Sequence, residues 1–159
     1  MTSVVFIIAA CSQKAVSPDS AQLTAGNSQQ QLAPAEPGSK RDFVQNVGDI
    51  VYFTTDSSDL TPEGRETLTK QVRWLNANKK YTIKVEGHAD ERGTREYNIA
   101  LGARRATSVR NFLARSGVDP RRIQTVSFGK ERPVAVCNDI SCWSQNRRAQ
   151  TVLNSRAGS

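Results

Sequence analysis

From Val47 onward the chain alternates between two hydrophobic periods, and this alternation limits the fold more tightly than any other feature. Ile50-Val51-Tyr52-Phe53 is a short β-branched and aromatic run closed by the polar residues Thr54 to Asp59. Thr61-Pro62-Glu63 has the makings of a helix start: a capping hydroxyl, a proline in the first turn and a carboxylate at the positive end of the helix dipole. Leu68, Val72 and Leu75 then recur at helical spacing, and Asn76 to Lys80 ends the helix. Tyr81 to Gly87 returns to a period of two, with Ile83 and Val85 on one face and Lys84 and Glu86 on the other. After the polar loop His88 to Thr94, Arg95 to Arg115 has the period of a long helix that Gly117 stops. Arg122 to Phe128 reads as a third strand and Ala149 to Leu153 as a fourth, with room for one helical turn in the cysteine-containing loop between them. The order β-α-β-α-β-β predicts an α/β two-layer sandwich, two main helices packed on one face of a mixed sheet. No internal repeat is visible, and 159 residues suffice for one such domain.

The residues before this region have a different character. Val4 to Ala10 is an apolar run too short to span a bilayer but of the right kind for the end of an export signal. Residues 1–10 are therefore expected to be a signal-peptide remnant truncated at its start, since no Lys or Arg precedes the run. Ile8-Ala9-Ala10-Cys11 looks like a bacterial lipobox, which makes Cys11 the expected site of lipidation. Residues 12–40 have only Val16, Leu23 and Leu32 as larger aliphatics and cannot bury enough surface to offset their ordering entropy. The expected organisation is a lipidated cysteine and disordered tether over 11–43, a folded domain over 44–154 and a disordered tail over 155–159. Exported cysteines sit in an oxidising compartment, so Cys137 and Cys142 are expected to close a small disulfide loop; two thiols alone fall short of a zinc site.

The second helix carries an anomaly. At about 100° per residue, Leu101, Phe112, Val109, Leu113, Ala106 and Ile99 fall on one arc, and Asn98 and Arg105 point into the same arc. A guanidinium buried there needs a carboxylate or equivalent hydrogen-bonding partners. Asp90, in the loop leading into the helix, is the natural candidate. The pattern alone leaves two readings open: a structural Arg105–Asp90 bridge, or two opposite charges held apart at a cleft to meet the two ends of a zwitterionic ligand.

Other chemistry finds little support. His88, Asp90 and Glu91 cluster in one loop, but the chain has a single histidine, and neither a phosphate-binding glycine loop nor a catalytic triad is present. The expectation is a protein that is not an enzyme, with no metal and no cofactor. The formal charge of +7 asks for an anionic partner. The doublets Arg104-Arg105, Arg121-Arg122 and Arg147-Arg148 belong to no nucleic-acid motif, and they are expected to be mostly solvated surface.

The stretch GHADERGTREYNIALGARRATSVRNFL, Gly87 to Leu113, resembles the signature of the OmpA-like peptidoglycan-binding domain family, in the form found in peptidoglycan-associated lipoproteins. Val51-Tyr52-Phe53 with Asp56, Ser127 to Pro133 and Ser144 to Ala149 extend the likeness over roughly Val47 to Leu153. The resemblance implies an OmpA-like fold that binds the diaminopimelate-containing peptide stem of peptidoglycan. The aspartate matching Asp90 would hold the diaminopimelate ammonium, and the arginine matching Arg105 a carboxylate. Thr94 and Asn98 match positions that shape the pocket, Leu101 would wall it, and Asp56 would line it from the upstream loop. It also implies an outer-membrane lipid anchor, favoured by Ser12 after Cys11, with the domain in the periplasm, and partners in the Tol system, TolB above all, on a surface overlapping the cleft. The alternative is a protein-interaction module whose main ligand is a Tol partner and whose Asp90/Arg105 pair is structural.

Overall fold

The computed structural model describes residues 34–155. The signal segment, Cys11, most of the tether and residues 156–159 lie outside the described residues. Four strands form one sheet in the order β1-β4-β2-β3: β1 (Ile50–Tyr52), β2 (Tyr81–His88), β3 (Ile123–Gly129) and β4 (Arg148–Ser155). β4 runs antiparallel to both β1 and β2, and β3 is parallel to β2, so the sheet is mixed as expected.

Two long helices cover one face. α2 (Pro62–Ala77) starts as its sequence dictates: the Thr61 hydroxyl accepts from Gly64 N at 3.1 Å and Pro62 fills the first turn. α3 (Arg95–Arg115) is capped by Thr94, whose hydroxyl accepts from Tyr97 N at 3.2 Å. Leu68, Val72 and Leu75 from α2 and Ala106, Val109 and Leu113 from α3 share a single core with Val51, Ile83, Val85, Ala149 and Leu153 of the strands. α3 presses on β2 so closely that a Cβ on Gly87 would lie 1.9 Å from the carbonyl oxygen of Gly102. Only glycine allows this crossing.

The periodicity does not reveal the first element. A short α1 (Lys40–Asp42) runs on into a π-helical turn, Phe43–Val47, and buries Phe43 completely against Trp74, with ring centroids 4.9 Å apart. Trp74 Nε1 donates to Asp42 at 2.7 Å, and the Tyr81 hydroxyl donates to Gly38 O at 3.1 Å. The tether-to-domain boundary drawn at 43 and 44 therefore moves toward the N-terminus, because one aromatic among polar residues produces no periodic signal. At the other end β4 includes Ser155, which the sequence reading placed in the tail.

Residues 130–147 make an excursion before β4. The structure joins Cys137 to Cys142 as a disulfide with Cα atoms 5.7 Å apart. The helical turn expected here is the seven-residue α4 (Ile140–Asn146), capped by Asp139, whose side chain accepts from Ser141 N at 2.8 Å. Asn146 fastens its end, accepting from Val134 N at 2.8 Å and donating to Ala135 O at 2.7 Å.

The expectation of mostly solvated arginine doublets is corrected. Arg105, Arg122, Arg147 and Arg148 are all buried, with 7% exposure or less. Each donates to at least one backbone carbonyl. Arg122, for instance, donates to Leu75 O and Asn78 O at the end of α2 and to Tyr81 O at the start of β2.

Candidate functional site

A cleft of about 250 Å³ opens where β2 ends and α3 begins. The β1–α2 loop forms one wall, the β2–α3 loop the other, and the first three turns of α3 form the floor. Five of the six residues singled out from the sequence line it: Asp56, Asp90, Asn98, Leu101 and Arg105. Thr94 does not; as the N-cap of α3 it aims the floor helix.

Arg105 is wholly buried. Its Nε donates to Ser57 O at 2.8 Å, Nη1 to His88 O at 2.7 Å and Nη2 to Thr54 O at 3.2 Å, which ties both walls to the floor. These bonds use three of its five N–H groups. Burial pushes its pKa down to about 10, so it stays charged at neutral pH. No carboxylate of the described residues forms an ion pair with it, and the direct Arg105–Asp90 bridge is absent.

Asp90 is held by other cations. Its carboxylate accepts from Arg92 through N at 3.2 Å, Nε at 3.1 Å and Nη2 at 2.7 Å, and from Arg147 Nη1 at 3.3 Å. Burial alone would raise its pKa, but the hydrogen bonds from Arg92 and Arg147 outweigh burial and hold the carboxyl below its ordinary value. Asn98, also buried, donates to Arg92 O at 2.7 Å and fixes the loop to the helix. On the opposite wall Asp56 adopts φ of 56°, the left-handed region that Asp tolerates better than most residues. There it accepts a hydrogen bond from the Tyr97 hydroxyl.

Sequence reasoning missed Arg92, Arg147 and Tyr97. Arg92 had a local signal, since Asp followed two residues later by a donor is an Asx turn. Arg147 had none. It reaches Asp90 because β4 runs antiparallel beside β2, which puts the residue before β4 next to the residues after β2. The single histidine does not serve the cleft as a base: His88 stacks near Phe128, centroids 5.5 Å apart, and neither ring nitrogen has a hydrogen-bond partner among the described residues. Burial, with Arg148 and Arg132 nearby, pushes its pKa down to about 4.

The cleft thus holds a buried guanidinium that makes no direct ion pair among the described residues and, near it, a buried carboxylate held by other cations. The OmpA family model matches residues 52–148, a range that contains the whole cleft. The peptidoglycan-associated lipoprotein of Mesorhizobium japonicum is 55% identical over 152 residues, covering 96% of this chain and 88% of that protein. That of Rhizobium meliloti is 59% identical over 119 residues, 75% of this chain and 68% of the relative. Among solved structures, the peptidoglycan-associated lipoprotein from Burkholderia pseudomallei superposes with a TM-score of 0.68 at 37% identity, covering 72% of this chain and 98% of that one. The C-terminal domain of Helicobacter pylori MotB shares the fold, with a TM-score of 0.63 at 22% identity over 69% of this chain and 86% of that one. The chain belongs to the OmpA family, among the peptidoglycan-associated lipoproteins.

Proposed function

We propose that the cleft binds the peptide stem of peptidoglycan through its diaminopimelate residue, and that the protein, anchored by a lipid on Cys11, ties the outer membrane to the cell wall. The observation that carries this reading is the unlike charges of Arg105 and Asp90 in one cleft. The free end of diaminopimelate has an ammonium and a carboxylate on one carbon. The ammonium goes to Asp90, exchanging for hydrogen bonds now made by Arg92, and the carboxylate goes to the N–H groups that Arg105 has not committed to carbonyls. Leu101 packs on the aliphatic chain of the stem residue. Nothing in this process requires covalent chemistry, and the protein acts as a binder rather than an enzyme.

Calorimetric titration of the chain with two stem peptides tests the ligand, one carrying diaminopimelate and the other lysine at the same place. Lysine lacks the distal carboxylate, so its peptide should bind at least about tenfold more weakly, the size of one charge-assisted contact. Equal affinity for the two removes the diaminopimelate assignment.

The three carbonyl bonds of Arg105 favour a second reading, in which the pair is structural and the main ligand is a Tol protein, TolB first. In our reading TolB and peptidoglycan use overlapping surfaces, so added TolB displaces bound stem peptide. Simultaneous binding of both supports separate sites.

A further inference from the structure

Trp143 is half-buried, takes no part in the hydrophobic core, and belongs to none of the elements that line the cleft. It nevertheless touches one charge of the cleft, Arg92, and the neighbouring Glu91. The guanidinium carbon of Arg92 lies 4.3 Å from its ring centroid, and its Nε1 donates to the Glu91 carboxylate. An arginine with its side chain 42% exposed, paired only to a carboxylate two residues away, would hold its geometry weakly. A ring on its open face adds a second seat.

The residue that ends α4 is the other cation on Asp90. Arg147 follows Asn146 directly and donates its N–H to Trp143 O at 3.1 Å, while its side chain reaches Asp90. Both cations on Asp90 are thus placed from the segment that the Cys137–Cys142 bond and Asn146 hold in position. The Asp90 carboxylate offers about four acceptor sites, and four donors now fill them. Any ligand ammonium must displace some of the Arg92 bonds, and where Arg92 goes then decides the charge at the lip of the cleft.

We propose that Trp143 is a positioning residue for the cleft: its ring keeps the Arg92 guanidinium at the lip, on Asp90 in the free protein and beside the ligand after exchange. The inference rests on the function proposed above for its ligand, but its first test needs no ligand. The charged groups around Asp90 are Arg92 and Arg147 in contact, Arg105 acting through space, and Glu91 next in the chain. Of these, only Arg92 and Glu91 are in contact with the Trp143 ring.

The experiment follows the Asp90 carboxyl by carbon NMR during an acid titration of the full chain, in wild type, Trp143→Ala, Trp143→Leu, Trp143→Phe and Arg92→Ala. Loss of the ring should raise the midpoint toward the ordinary carboxylate value. Phe, which keeps a ring but not the bond to Glu91, should restore it, and Trp143→Ala should add nothing once Arg92 is gone. Stem-peptide affinity should fall about three- to fivefold with Ala or Leu, recover with Phe, and be insensitive to residue 143 in the Arg92→Ala background. An unchanged midpoint in Trp143→Leu, or an equal loss of affinity with and without Arg92, overturns the proposal. Should wild type bind no stem peptide, the proposed function fails while the titration still decides the role of Trp143.

Discussion

Arg105 and Asp90 are opposite in charge and differ in what replacing them does. Arg105 is a structural staple whatever else it does: Arg105→Ala leaves the carbonyls of Thr54, Ser57 and His88 without their donor. Thermal or urea unfolding should show a loss of about 3–5 kcal/mol. A failure of Arg105→Ala to bind ligand therefore says little about recognition. Asp90→Asn is the cleaner change, because it removes the charge at nearly constant shape and its one oxygen can still accept from Arg92 Nη2 and Arg147 Nη1. His88 makes a separate prediction about pH. Its pKa is depressed from 6.5 to about 4 in the folded state, so the unfolded chain binds more protons between these values. Stability contributed by the neutral ring is complete above about pH 6.5 and is lost as pH falls toward 4. The loss is at most about 3 kcal/mol. His88→Leu should flatten the urea-melt stability profile across that window; an unchanged slope would show that other groups carry it.

Among the elements, the crossing of α3 over β2 depends on Gly87 and Gly102, and the excursion around α4 on its disulfide and Asn146. Gly102→Ala places a Cβ 2.4 Å from Ser127 Oγ and 2.8 Å from Gly87 O, so α3 must move off the sheet. The expected cost is about 1–3 kcal/mol in a thermal melt, accompanied by weaker ligand binding because α3 is the cleft floor. Replacing Cys137 and Cys142 with serine opens a short loop and should cost about 2 kcal/mol of stability. A melt within about 0.5 kcal/mol of wild type would mean that Asn146 alone holds the segment. These elements also show what the sequence made legible. Leu68, Val72 and Leu75 announce α2 because a one-sided helix must repeat its apolar face, and the Thr61 cap marks its start. Phe43 escaped notice because its burial depends on Trp74, far away in sequence. Arg105 was visible as a charge on an apolar arc, but its partners were carbonyls, which have no signature in side-chain pattern. The buried state of Arg122, Arg147 and Arg148 was invisible for the same reason.

For the whole molecule, the formal charge of +7 overstates the cationic surface, since four of its arginines are buried. Recognition by general attraction to an anionic polymer would weaken steeply with salt and would be indifferent to one aspartate. Recognition by the cleft depends on Asp90, although removing an anion makes the molecule more cationic still. The direct test is co-sedimentation of the full chain with isolated peptidoglycan sacculi at physiological salt, wild type against Asp90→Asn, each shown to be folded by near-ultraviolet circular dichroism. The account predicts saturable binding by wild type and a loss of about 10- to 100-fold in the variant, as expected for a charge-assisted contact. No binding by wild type, or equal binding by a folded Asp90→Asn protein, would contradict it.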